Sequence, residues 1–199
     1  MAVKREAASV IEVPRANIQN LTLTIRGIGA GLLVHRFHDI DALGEKGQGK
    51  AQTVKPARNY EQEFNDARYV IDGKDCYPAD ALKKAVVGAC SFVDGVFKTH
   101  ARGAFFPLDE FFQILGPSPV MHRCVVWIGR GTSRVAMVRV RPLYRNWKMN
   151  IRMRYDANII STEQLVFLFV QAGFSVGLGD WRPQKDGQFG MFEVERNGN

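Results

Sequence analysis

The sequence predicts an α+β domain with its main elements in the order β-α-β-β-α-β, and three observations predict it. From Trp147 to Tyr155, apolar Trp147, Met149, Ile151, Met153 and Tyr155 alternate with Lys148, Asn150, Arg152 and Arg154. That is the period of a strand with one face in a core and one basic face. Ser161 or Thr162 then offers an N-cap to the apolar run LVFLFVQAG, which Gly173 stops, so a well-buried helix is expected. Between this helix and a closing strand at Met191 to Glu195 lies GFSVGLGDWRPQKDGQFG, whose glycines mark turns or a close backbone approach.

The remaining elements follow in chain order. Residues 1–19 read as an arm, with a short strand at Ser9 to Val13 that Pro14 ends. Leu21, Leu23 and Ile25 alternate with Thr22, Thr24 and Arg26 as a first strand, and Gly27, Gly29 and Gly31 follow. Residues 44–58, GEKGQGKAQTVKPAR, have no hydrophobic period and read as a loop or arm that could order on binding. Tyr60 to Arg68 reads as a short helix, and YVIDGKDCYP as a hairpin turning at Asp72-Gly73. Pro78 and Asp80 open a helix to about Phe92, with Leu82, Ala85, Val86 and Ala89 at helical spacing.

Residues 96–120 carry Phe105, Phe106, Phe111 and Phe112, interrupted by Pro107, Pro117 and Pro119. These aromatics suit a core, a satellite core or a subunit contact. Cys124 to Ile128 and Val135 to Val140 read as strands, the second with Arg139 and Arg141 on one side. Taking Leu21, Pro78, Val135, Trp147, Thr162 and Met191 as the six elements gives the ferredoxin-like order. The expected organisation is an arm over 1–19 and a single domain over 20–199, with insertions at about 28–77 and 94–122.

Composition bounds the function. The 199 residues are 46% hydrophobic and 24% charged, as in an ordinary globular protein, with a net charge of +7. From Phe111 to Tyr155 there is no Asp or Glu, yet the span holds Arg123, Arg130, Arg134, Arg139, Arg141, Arg145, Lys148, Arg152 and Arg154. The rest of the chain is close to neutral, so this basic block favours an anionic partner such as nucleic acid. Cys76, Cys90 and Cys124 have neither disulfide-framework nor zinc spacing. No apolar run approaches a membrane span, and MAVKREAASVIEV lacks the apolar core of a signal peptide. A cytoplasmic protein with no membrane partner is expected. With no Walker loop, nucleophile elbow or metal pattern, no cofactor is expected either.

IRGIGAGLLVHRF, YPADALKKAV, RVRPLYRNWKMNIRM and GLGDWRP…GQFGMFEV resemble a group of uncharacterised tailed-phage and prophage proteins. More remotely, VGLGDWRPQKDGQFGMFEV is similar to the glycine-rich loop of the RAMP superfamily, the CRISPR backbone proteins that polymerise along a guide RNA. That likeness implies a RAMP- or RRM-like fold, a nucleic-acid partner, a homo-oligomeric filament or ring, and a bacterial host cell.

The residues support three readings. In the first, Arg139, Arg141, Lys148, Arg152 and Arg154 follow a phosphate backbone. Gly177, Gly179, Arg182 and Lys185 cradle it, and Trp181 or Phe189 stacks on an unpaired base. The partner is single-stranded RNA or DNA, bound without sequence preference. Each residue has a structural alternative: the arginines as a solvated or salt-bridged face, Trp181 as an anchor against Pro183, Arg182 as a bond to loop carbonyls or Asp180. In the second reading His35 and Asp39, just after the first strand, serve a nuclease. In the third, the Phe105–Leu115 stretch and the 44–58 arm dock on another protein, as in an assembly or host-defence-blocking adaptor.

Overall fold

The computed structural model describes residues 15–36, 58–129 and 131–195. The strand predicted from its alternation is present: residues Lys148–Asp156 bury Met149, Ile151, Met153 and Tyr155 and expose Lys148, Asn150, Arg152 and Arg154. In chain order the strands are β1 (Ile18–Gly27), β2 (Leu32–Leu33), β3 (Tyr69–Ile71), β4 (Lys74–Pro78), β5 (Phe105–Pro107), β6 (Phe111–Gln113), β7 (Val120–Ile128), β8 (Val135–Tyr144), β9 (Lys148–Asp156) and β10 (Phe192–Val194). The helices are α1 (Tyr60–Asp66), α2 (Ala79–Ala89), α3 (Lys98–Ala104) and α4 (Thr162–Gln171).

An antiparallel sheet in the order β10-β1-β9-β5 forms the centre. With α2 between β1 and β5, and α4 between β9 and β10, this is the ferredoxin-like β-α-β-β-α-β fold. One strand differs from expectation. The motif's second strand is β5, paired Phe105↔Tyr155 through Pro107↔Met153, and not the Val135 segment. Three residues are too few to show a period of two, and Pro107 confines β5 to an edge because it has no N–H to donate. Phe105, 1% exposed, locks it onto the core 6.3 Å from the Phe169 ring. The Val135 strand instead pairs with β7 and β2 in a second sheet, and β3-β4-β6 forms a third.

Local chemistry explains the ends of the elements. Asp72 (φ 50°) and Gly73 (φ 73°) form the tight turn between β3 and β4, where both central residues need positive φ. Asn59 caps α1 by accepting from the N–H groups of Glu61 and Gln62. Ser161 and Gln164 form a reciprocal capping box on α4. The predicted all-round burial of α4 is not observed. Leu165, Leu168 and Phe169 face the core, but Phe167, Val170 and, in the π-helical turn Ala172–Val176, Phe174 are exposed. The helix covers one face of a sheet, so among the described residues nothing packs on its outer side.

Asp75 ties the third sheet to the second. It accepts a two-pronged bond from Arg68 (2.8 and 2.7 Å) and one from the Tyr144 hydroxyl (2.7 Å). Burial raises the affinity of its carboxyl for a proton, but these donors together hold it below the ordinary carboxylate range. A depressed carboxyl gives stability that is present above the unfolded-state value and is lost as pH falls through the folded-state value. The melting-temperature gap between wild type and Arg68→Met is therefore expected to narrow as pH drops from about 7 into the acid range. A gap independent of pH would show that Arg68 acts by packing alone. The predicted strand at Ser9 to Val13, most of the 44–58 arm, and Asp39 lie outside the described residues.

Candidate nucleic-acid interface

The basic residues singled out from the sequence lie on two different sheets. Lys148, Arg152 and Arg154 occupy the open face of the central sheet, opposite Arg26, Thr22 and Asn20 of β1. Much of that charge is met within the chain. Lys148 pairs with Glu195 (2.5 Å), Arg26 with Glu193, and Arg152 with Asp109. Arg154, next to exposed Phe106 in the ladder, has no ion pair with a described residue. These are exposed pairs, weak in water and screened by salt.

Arg139 and Arg141 sit on β8, in a groove of about 260 Å³ that runs between β8, α1 and the residues after β2. His35, Arg36 and Arg58 complete its basic lining, against the single carboxylate of Glu63. Arg58 holds Glu63 with two bonds of 2.7 and 2.6 Å. That fork, more than the nearby Arg139 and Arg141, keeps the Glu63 carboxyl below its usual range. The Tyr60 ring lies 5.3 Å from the Arg58 guanidinium and 4.8 Å from that of Arg123 on β7. Arg36 lies 5.8 Å from the Tyr69 ring. Arg36 and Arg139 in the groove, like Arg123 outside it, make no ion pair with a described residue, so the groove keeps excess positive charge near the Tyr60 and Tyr69 rings.

The glycine-rich loop closes one end. Arg141 donates through Nε to Asp180 Oδ2 at 2.7 Å, and His35 Nδ1 stands 4.0 Å from the same oxygen. The loop's polar backbone is used internally. Leu178 N–H donates to Gly190 O, Asp180 N–H to Leu33 O, Gly190 N–H to Gly31 O, and Phe189 N–H to Trp181 O. Gly179 N–H donates to the Tyr77 hydroxyl at 2.9 Å. A Cβ on Gly179 would stand 2.1 Å from Leu33 O, and one on Gly190 1.8 Å from Leu178 O. At both positions, then, the close approach is to the chain's own backbone. Arg182 donates to Gly179 O (3.0 Å) and to Gln184, the structural alternative expected for it. Gly177 turns at φ 70°, its missing Cβ making room for the Pro183 ring.

Trp181, 44% exposed at φ 53°, meets Phe189 edge to face at 6.4 Å. Phe189 in turn meets His122 of β7 at 5.5 Å, and His122 is the ladder partner of Arg141. Lys185 is exposed in the short helical turn Pro183–Lys185. The structure thus brings Arg139, Arg141, Gly179, Trp181 and Phe189 to one region, and leaves Lys148, Arg152 and Arg154 on another sheet. Sequence reasoning missed Arg36, Arg58 and Tyr60, because they flank residues 37–57, where no periodicity points to a fold. Their signal was the aromatic neighbour of Arg58, two positions on. Among the described residues, no group of three or more His, Cys, Asp or Glu could hold a metal. His35 lies in the groove, and its proposed companion Asp39 is not described.

Fold and surface define an α+β protein with a ferredoxin-like sheet and an arginine-lined groove. No family model and no curated protein matches the chain, so the resemblance to phage and prophage proteins gains no support there. Among solved structures, the chain is similar to one in the type III-B Cmr-beta complex bound to cognate target RNA. The identity is 10% and the TM-score 0.47, over 90% of this chain and 60% of the other. No helix among the described residues is long and apolar enough to cross a membrane.

Proposed function

We propose that the protein binds single-stranded RNA or DNA without sequence preference, laying the phosphate backbone in the groove between α1 and β8. The observation that carries this reading is the excess of guanidinium over carboxylate there, with Arg36 and Arg139 in the groove, and Arg123 over the neighbouring Tyr60 ring, free of ion pairs to described residues. Arginine forks suit phosphate, and the same planar groups lie beside tyrosine rings on which bases can stack. The exposed Trp181 extends that surface past Phe189. Among the described residues the one helix at the groove, α1, is a seven-residue wall whose Glu63 is held by Arg58, so discrimination between sequences should be small.

A strand longer than one groove would be coated by several copies, and weak sites repeated along it gain strength by linkage. The hairpin of β7 and β8 offers an apolar contact for such a homo-oligomer, since Val125, Trp127 and Val135 are exposed by 57%, 67% and 63%. The same patch favours the adaptor reading, in which the chain binds protein alone. Titration of a labelled single strand at rising salt separates them. Three or four phosphate contacts predict a log–log slope of roughly −2 to −3. No binding at low salt would leave the adaptor. Size exclusion read at 260 and 280 nm reports the oligomer and any nucleic acid it carries.

A further inference from the structure

Behind the glycine loop lies a second cavity, of about 280 Å³, between the first half of α2, the β3–β4 hairpin and the loop itself. It adjoins the groove: His35 lines both, and the Arg141–Asp180 ion pair joins a wall of one to a wall of the other. Arg36 of the groove also lies against the Tyr69 ring, which lines the cavity.

We infer that this cavity receives one unpaired nucleobase from the strand in the groove, with the Tyr77 hydroxyl donating to the base and Asp180 Oδ1 accepting from it. The inference rests on the strand-binding reading above and names what that reading leaves open, where a base goes.

Four features of the cavity carry it. Its volume sits just under the roughly 300–1,000 Å³ of pockets for drug-sized ligands, which leaves room for a single ring system. Its walls combine the Tyr69 and Tyr77 rings, Val176 and Leu178 with the polar Lys84, Arg182 and Gln184, a lining suited to a flat ring with polar edges. Tyr77 is 6% exposed, and its oxygen accepts from Gly179 N–H, but its own proton meets no acceptor among the described residues. Asp180 gives Oδ2 to Arg141, and its Oδ1 has no partner among them. A buried donor and a free acceptor together call for a ligand edge with an acceptor beside a donor, which is what a nucleobase presents.

Lys84 and Arg182 line the cavity together with Asp180, so charge does not exclude an anion; a base is preferred because Asp180 Oδ1 needs a donor, which a fully ionised phosphate lacks. Burial pushes the Tyr77 phenol up to about 12, so it stays a donor across the neutral range.

The test uses a short labelled single strand and the same strand made wholly of abasic sugar-phosphate, with wild type and Ala81→Leu. Ala81 lines the cavity from α2 and is only partly buried, so a longer side chain there can take up space a base would fill. Wild type is expected to prefer the strand with bases by more than tenfold, about tenfold of it from the cavity, the worth of one good base contact. Ala81→Leu should lose that tenfold, keeping only what stacking on the exposed rings contributes, while binding the abasic strand as wild type does. Equal binding of the two strands by wild type, or a preference undiminished in Ala81→Leu, overturns the inference.

Failure of the groove reading looks different: the abasic strand would then not bind wild type at all. For that case, and should Ala81→Leu fail to fold, free guanosine, adenosine, cytidine and uridine are titrated into wild type. Shifts in the Tyr69 and Tyr77 ring signals by NMR support the cavity, and no shift with any of the four overturns it.

Discussion

Replacing Arg36 and Arg139 together by glutamate is expected to weaken binding of a single strand by about two orders of magnitude at low salt, on the order of 2.7 kcal/mol. The salt slope should shrink by roughly 1.4, about 0.7 for each phosphate no longer gripped on a single strand. Both residues line the groove without an ion pair to a described residue, so their reversal breaks no internal bridge, and the melting temperature should hold. Arg58 keeps Glu63 through its fork, so the carboxylate that lines the groove with Arg139 retains its main partner.

The matched control is Arg152→Glu with Arg154→Glu on the open face of the central sheet. There Arg152 is already met by Asp109, and Lys148 and Arg26 by glutamates. A loss within about tenfold is expected from this second pair, through long-range charge. If the ranking of the two variants is reversed, the strand runs over the open sheet face instead. Fluorescence anisotropy at several salt concentrations decides between them.

The two surfaces also show what could be read from residues in order and what could not. The alternation in β9 survives folding unchanged, because a strand between two others has one face fixed by the core and the other left free. The hairpin at Asp72-Gly73 was equally legible, since its turn chemistry is local. The acid-free span from Phe111 to Tyr155 misled about charge density. Three of its cations, Arg141, Lys148 and Arg152, are met by Asp180, Glu195 and Asp109, which lie outside the span and reach them only through the tertiary fold. The edge strand β5 was illegible for a different reason: three residues, two of them aromatic and one proline, carry no period. At Gly179 and Gly190 the spacing announced a close approach correctly, but it could not say that the surface approached was Leu33 and Leu178 of the same chain.

That internal approach gives Gly190→Ala a large expected cost in stability. A Cβ there would lie 1.8 Å from Leu178 O and 2.8 Å from Leu178 N. The clash is with backbone, so no rotamer relieves it. Nor can the loop swing away freely, because Gly190 N–H donates to Gly31 O at 2.7 Å and Gly190 O accepts from Leu178 N–H at 2.9 Å. The positive φ of 70° adds the strain of a left-handed alanine, about 1–2 kcal/mol. Steric displacement of two bonded segments brings the total to about 3–4 kcal/mol, or on the order of 10 °C for a chain of this size.

Gly73→Ala isolates the two contributions. It has nearly the same φ, 73°, but nothing stands within 4 Å of its missing Cβ, so it should cost only the conformational part. Urea unfolding of the two variants, compared at one temperature, reads the difference. Similar losses would mean that the loop yields easily at Gly190. The consequence reaches the interface, since Leu178 and Gly179 wall the cavity behind the loop and Asp180 ends the groove. Pushing Leu178 aside moves the two polar groups offered to a base, Asp180 and the Tyr77 hydroxyl held by Gly179, relative to each other. A Gly190→Ala protein that remains folded should therefore keep its affinity for abasic strand and lose the cavity's share of its preference for bases.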